Sequence, residues 1–434
     1  MDASVPAMTE VYEIMIKTIH IFPGVTLRCC REDRFKQGVL SLQFLRPMCR
    51  EEAALNALLP AVLLRGTKSA PDMRSITLRL DDLYGASVGA LVRRIGDIQC
   101  TGLSCGFIDD RFTLEGDRLF APMMAFLEEI LLDPVTEDGV FSKTYVQTEK
   151  QNLIWAIEAQ RNDKRAYANN QLLKHMCKAD SYGIPRLGEI AHVEAITAES
   201  LYAHYRKILT QSPVHVFYVG SADPETVAET LKPMLGRLAK NPVSLPAQAG
   251  FVPGAFSEHE EILDVAQGKL CMGYATPINL RHPQYAAIQV CNTILGAGMT
   301  SKLFMQVREK MSLCYDIGSG FHGSKGIMTV AAGIEFEKRD IVQQEILHQL
   351  QEIRDGNITA EELTAAKEAL LSNLRATHDS PGAIEGYYAS AAISGIGMTP
   401  AEFMDAIIRV SAEDVSAAAK TLSLQTVYFL KGEK

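Results

Sequence analysis

The feature that most restricts the fold is an internal repeat. Gln37-Gly38, Leu40, Pro47 and Gly66 can be laid without a gap on Gln267-Gly268, Leu270, Pro277 and Gly296. Each copy reads as a strand, a proline-marked turn and a helix ending near glycine. A second match closes the copies. Thr197-Ala198-Glu199 precedes a helical run and the strand Val214–Val219, and Ser411-Ala412-Glu413 precedes a helix and Val427–Leu430. Thr or Ser before an acidic first turn marks a helix start, because the hydroxyl satisfies an amide that has no intrahelical partner. Self-similarity along a chain signals a repeated structural unit. Strands first and last with helices between imply an α+β protein of two tandem homologous domains, each a mostly antiparallel β-sheet covered by α-helices.

Between the copies, Lys240 to Phe256 carries Pro242, Pro246, Pro253, Gly250 and Gly254 and no apolar period. It reads as an extended linker, dividing the chain into 1–239, 240–256 and 257–434. Thr359 and Glu362 form a capping-box pattern ahead of the apolar stripe Leu363, Ala366, Leu370 and Leu374. Phe141 to Ala168, which includes the single tryptophan Trp155, has a similar long helical texture.

Composition excludes several classes. At 434 residues, 47% hydrophobic and 22% charged, the chain is long enough for two to three cores of ordinary globular type. A net charge of −9 with no basic block argues against nucleic-acid binding. The start, MDASVPAMTEVYEIMIK, lacks the pattern of a secretory signal. The longest apolar run, Leu55 to Leu64, is broken by Asn56 and Pro60 and is too short to span a bilayer. Nine cysteines, an odd count without regular spacing, read as reduced thiols in a cytoplasmic protein.

Chemistry concentrates in Leu295 to Tyr315, LGAGMTSKLFMQVREKMSLCY. Gly296-Ala297-Gly298 permits a tight turn or close backbone approach, and Leu303, Phe304 and Val307 then fall on one helical face. Arg308 and Tyr315 are seven apart, but Gly318-Ser319-Gly320 suggests that the helix stops and a strand begins. Together with Ser301, Val307-Arg308-Glu309-Lys310 and Leu313, this stretch resembles the second-domain signature of the insulinase, pitrilysin and mitochondrial processing peptidase family. The resemblance covers nearly the whole chain and implies the same two-domain fold. In that family the matching arginine and tyrosine hold the substrate backbone opposite a zinc ion, which makes Arg308, Tyr315, Gly296 and Gly298 the substrate-binding residues expected here.

Active members carry H-x-x-E-H on the first-domain helix, with a distant glutamate as third ligand. That chemistry needs lone-pair donors for zinc and a carboxylate to take a proton from water. Counting back from Leu63-Leu64-Arg65-Gly66-Thr67, Ala57 and Ala61 stand at the histidine positions and Pro60 at the base. Glu149 matches a family glutamate seven residues before the ligand, which places Ala156 at the ligand position. None of these side chains ligates a metal or moves a proton. No catalytic residue and no metal or other cofactor is therefore expected in this chain.

Other chemistries fare worse. The ten histidines are scattered, and His259 among Glu258, Glu260 and Glu261 reads as a solvated charged stretch. Cys314 has no recognisable histidine partner nearby in sequence. Gly296 to Lys302 has the wrong spacing for a phosphate loop. Leu58-Leu59-Pro60, Arg65-Gly66-Thr67 and Asp82-Leu83-Tyr84-Gly85-Ala86 resemble the zinc-less, non-catalytic member of bacterial gene pairs. The resemblance implies a heterodimer: a zinc-bearing insulinase-family partner hydrolyses the peptide substrate, and this chain supplies Arg308 and Tyr315. Two alternatives stand beside it, a structural assembly protein of the same fold and a stand-alone enzyme of unrecognised chemistry. The sequence leaves open whether a homodimer forms when the partner is absent.

Overall fold

The computed structural model describes residues 14–433. The first half supplies β1 (Ile16–Phe22), β2 (Val25–Arg31), β3 (Gln37–Pro47), β4 (Ser87–Ile95) and β5 (Ile98–Ile108). A two-residue hairpin follows, β6 (Thr136–Glu137) and β7 (Val140–Phe141), and then β8 (Val214–Gly220). The second half supplies β9 (Ser257–Ile262), β10 (Gly268–Ala275), β11 (Asp316–His322), β12 (Ile327–Ile334) and β13 (Ser423–Lys431). Two main sheets result, ordered β1-β2-β8-β3-β5-β4 and β9-β13-β10-β12-β11.

Apart from β1, the sheets repeat each other strand for strand. The first pair is parallel in both (β2 with β8, β9 with β13) and the next three are antiparallel. The parallel pair arises because the last strand of each half returns beside an early one, β8 beside β2 and β13 beside β9, which only a long helical crossover permits.

The helices of the first half are α1 (Arg50–Leu63), α2 (Met73–Asp81), α3 (Phe120–Leu132), α4 (Lys143–Ala159), α5 (Lys164–Met176), α6 (Ile190–Glu194), α7 (Ala198–Gln211) and α8 (Pro224–Leu235). Those of the second are α9 (Tyr285–Leu295), α10 (Arg339–Arg354), α11 (Ala360–Ala376), α12 (Pro381–Ser394), α13 (Pro400–Arg409) and α14 (Ala412–Lys420). The helix-start signals act as read: Thr197, Thr359 and Ser411 each cap with their hydroxyl, in reciprocal capping boxes. The long texture from Phe141 to Ala168 is instead two helices. Asp163 caps the amides of Arg165 and Ala166, so a second helix begins there.

Strand alternation puts one set of side chains from each sheet into its own core. Leu40, Leu42 and Phe44 pack with Leu58, Phe126 and Leu201 in the first core, and Leu270, Met272 and Tyr274 with Ile288, Ile346 and Val415 in the second. The opposite faces are covered by exchange. Helix α5 of the first half lies on β10, β12 and β13, whereas α12 of the second half lies on β3, β4 and β8.

Polar anchors fix the exchange. The buried Glu385 of α12 accepts from Ser41 at 2.5 Å and Gln43 at 3.1 Å, and takes two bonds from Arg93 at 2.9 and 2.8 Å. On α5, Tyr167 donates to Glu261 of β9 at 2.9 Å and His175 stacks on His259. His259 is therefore part of an edge strand and not of a solvated stretch. The acidic flanks misled because each has a partner: Glu258 pairs with Arg339, Glu260 with Lys431, and Glu261 also accepts from Tyr428.

No helix or strand lies between 236 and 256. This segment is pinned where it crosses from one half to the other: Phe251 donates its amide to Lys325 at 2.7 Å and Gln248 accepts from the Asp97 amide at 3.1 Å.

Candidate functional site

The degenerate metal positions lie on two packed helices. Helix α1 carries Ala57 and Pro60, both buried, and the half-buried Ala61. Helix α4 packs against it. Arg65, just past the end of α1, forms an ion pair with the buried Glu149. Two turns further along α4, Ile157 lines a cleft shared with Gly188, and Gly188 abuts Ala54 near the start of α1. The helices therefore run antiparallel, with Ala57 to Ala61 and Ala156 between these contacts. Ala156 and its neighbour Trp155 are exposed.

Donors fit for zinc are lacking there. Methyl groups and a pyrrolidine ring stand at all four positions, and no group of three or more His, Cys, Asp or Glu able to hold a metal ion occurs among the described residues. Behind α1, sequence reading missed a buried polar network. Asn56, read only as a break in an apolar run, donates to Gln99 at 2.9 Å, and its side-chain oxygen is 2.7 Å from His204 Nε2. Burial drops the His204 pKa to about 4, so the ring stays neutral and structural. A lone polar residue on an apolar helix face is the signal that could have revealed it.

The Arg308–Tyr315 stretch folds differently from a plain helix. Leu303–Lys310 is π-helical, and Met311 donates its amide back to Gln306 at 2.9 Å. Ser312 then adopts a left-handed backbone with φ of 51°, and Leu313 donates to Val307 at 3.0 Å. This reversal stops the helix and starts β11, as Gly318-Ser319-Gly320 suggested. Leu303 and Val307 are buried. Phe304 is half-buried, and the Arg308 guanidinium lies over its ring, 4.6 Å from the centroid.

Arg308 is exposed and its nearest acid is Glu309, 3.7 Å away at a grazing ion-pair distance. Tyr315 is 59% exposed, its amide bonded to Gly333 at 2.8 Å. Burial and then Asp316 push the Cys314 thiol up to about 11 despite Arg308, so it stays protonated and is no nucleophile.

The two glycines differ. A β-carbon on Gly296 would lie 2.8 Å from the Ser319 amide nitrogen and 3.0 Å from Leu303 Cδ1, so the close approach to β11 requires glycine. Gly298 has nothing within 4 Å and sits in the exposed run from Ala297 to Thr300. Lys302 is committed to Glu362 of α11 at 2.9 Å, which leaves no phosphate-binding lysine. First-half residues reach this side as well: Arg165 of α5 lies 3.5 Å from Asp316, next to Tyr315.

Two duplicated sheets with exchanged helices, a first-half helix pair with only Ala and Pro at the four expected metal-site positions and an exposed Arg/Tyr element in the second half characterise a peptidase-like protein. The Peptidase M16 inactive domain matches residues 195–370, from the start of α7 across the linker into α11. Over 416 residues the chain is 31% identical to the probable inactive metalloprotease YmfF of Bacillus subtilis, covering 94% of this chain and 96% of the relative. It is 22% identical over 299 residues to an uncharacterized zinc protease of Rickettsia felis, covering 67% and 71%. The chain belongs to the M16, or insulinase, family. A conserved protein from Enterococcus faecalis V583 superimposes with a TM-score of 0.89 at 29% identity, over 96% of this chain and 99% of that one. The M16 inactive-domain protein from Pseudomonas fluorescens shares the fold, with a TM-score of 0.79 at 19% identity over 96% and 98%.

Proposed function

We propose that this chain is the non-catalytic, substrate-holding subunit of a two-chain zinc peptidase. The observation that carries the reading is a contrast between halves. Ala57, Pro60, Ala61 and Ala156 offer no donor to a metal, while Arg308 and Tyr315 stand exposed on a reinforced turn. Likeness to a relative described as a probable inactive metalloprotease supports it.

In this reading the partner, an H-x-x-E-H subunit, supplies zinc and general base. Arg308 donates to a substrate carbonyl through its five-donor fork, and stacking on Phe304 limits the freedom lost on binding. Tyr315 donates its phenol proton to the oxygen on which negative charge develops. The run from Gly296 to Thr300 lines the shared chamber, where an extended peptide adds to a sheet edge. Among the described residues no helix is long and apolar enough to cross a membrane. The proposed working place is the cytoplasm, with a homodimer when the partner is missing.

The test is reconstitution with an H-x-x-E-H homologue from the same genome. The mixture should cleave a quenched fluorescent peptide, and Arg308→Ala should lower turnover about a hundred- to a thousandfold while the complex survives. Unchanged turnover in that variant removes the role given to Arg308. A stable complex without hydrolysis favours the assembly protein, and chelator-resistant hydrolysis by the chain alone favours an independent enzyme.

A further inference from the structure

A cavity of about 900 Å³ lies in the first half between the end of α4, α5 and the segment 182–190, with Arg94 of edge strand β4 at its wall. Its charge is unbalanced. Arg94, Arg161 and Arg186 line it, and none of the three has a carboxylate partner within ion-pair distance among the described residues. The one lining carboxylate, Glu189, is already shared by Arg50 at 2.5 Å and Lys174 at 3.8 Å. The whole chain carries −9, so three uncompensated guanidinium groups in one cleft run against its overall balance.

Two of them are held in place by neutral groups. Arg94 donates to the carbonyls of Tyr182 and Ile184, both at 2.8 Å, and its guanidinium lies 4.0 Å from the Tyr182 ring centroid. Arg186 donates to the Val92 carbonyl at 2.7 Å. Desolvation first, and then the like charge of Arg94, lower the Arg186 pKa, so an incoming anion would relieve an existing penalty. Arg161 lies over Tyr167 at 5.8 Å and has no ion pair among the described residues. Carbonyls and rings fix the orientation of these groups without neutralising them, which preorganises them for an anion.

We infer that this cleft is a subsite for the carboxylates of an acidic peptide segment, so that the substrates held by this subunit are acidic. The inference rests on the peptide-binding reading above. Its wall includes Ile157 of α4, next in sequence to Ala156, and Arg94 of β4. Carboxylate side chains and a free C-terminus share the chemistry.

Fluorescence anisotropy on the full chain at low salt tests it with a labelled peptide of alternating Glu and Ala, the same peptide with Gln for Glu, and both with free or amidated C-termini. The Glu peptide should bind at least about tenfold tighter than the Gln peptide, the worth of one charge-assisted contact. Arg161→Gln/Arg186→Gln should remove that margin and leave the Gln peptide unaffected. Arg161→Gln alone, on an exposed side chain without an ion pair, should keep the fold and lose part of it. A margin that follows the free C-terminus assigns the cleft to the terminal carboxylate, and one that persists with amidation assigns it to side chains. Equal binding of both peptides overturns the inference and leaves the peptide-holding reading standing. Binding of neither removes both, and displacement of the Glu peptide by an oligonucleotide of equal charge overturns it in favour of nucleic acid.

Discussion

Lys325, from the turn between β11 and β12, places its ammonium 2.6 Å from Asp97, in the turn between β4 and β5 of the other half. It is 1% exposed and also reaches Asp180 at 3.0 Å and the carbonyl of Ala249 in the linker at 3.2 Å. One buried charge thus ties together both halves and the segment joining them. Burial alone would raise the Asp97 pKa, but Lys325, Ser181 and the Ala249 amide outweigh it and hold the carboxyl below its usual range. Lys325 is raised in turn: burial opposes this, and the bonds to Asp97 and Asp180 prevail.

Lys325→Met should therefore cost roughly 3–5 kcal/mol, the typical penalty for stranding buried partners. Urea unfolding at neutral pH measures it. Adding Asp97→Asn and Asp180→Asn should restore part of the loss, since neutral groups strand no charge. The pH signs follow from the shifts. Asp97 contributes stability above about pH 3.9 that is lost as pH falls through its lower folded value. Lys325 contributes below about pH 10.4, and this is lost as pH rises through its higher one. Lys325→Met should flatten both limbs.

Gly296 and Gly298 make a paired test of the glycine turn. Gly296→Ala drives a methyl group against backbone at Ser319 and should cost about 1–3 kcal/mol. Gly298→Ala meets open space at a position without positive φ and should stay within about 0.5 kcal/mol. Thermal unfolding of both variants decides it. Equal effects would mean that the turn is not packed against β11.

The repeat was legible because its matched glycines answer to sterics. A β-carbon on Gly38 would lie 2.8 Å from the Phe107 ring and one on Gly268 2.9 Å from the Phe429 ring. Just past a helix end in each copy, a β-carbon on Gly66 would clash with the backbone of Pro71 and one on Gly296 would lie 2.8 Å from the backbone of Ser319. Such constraints leave residue types behind. The exchange of α5 and α12 leaves none, since their anchors Glu385 and Tyr167 meet partners far along the chain and resemble ordinary helix residues. The charge imbalance of Arg94, Arg161 and Arg186 was equally hidden, because it exists only once α4, β4 and the 182–190 segment converge. Of the candidate site, residue types were readable; the left-handed turn at Ser312 that ends the π-helix before β11 was not.

Metal content tests the donor argument. After incubation with excess zinc and gel filtration, the purified chain should retain far less than one equivalent by elemental analysis, because three or four N, O or S donors are needed for tight binding. A retained full equivalent would show a site built from residues other than Ala57, Pro60, Ala61 and Ala156.

The stacked imidazoles of His175 and His259, 3.8 Å between centroids, predict an acid-sensitive contact between α5 and β9. Desolvation first, then His259 and the nearby Lys174 and Lys178, lower the His175 pKa, with Glu261 opposing. A histidine depressed on folding contributes stability above its unfolded value of about 6.5, and that contribution is lost as pH falls through the folded one. The chain should therefore weaken between neutral and mildly acidic pH. His175→Gln keeps a polar planar group but cannot charge, so it should flatten this slope, read as urea midpoint against pH. An unchanged slope would place the acid sensitivity in another histidine that burial holds below its usual range, such as His204, His215 or His322.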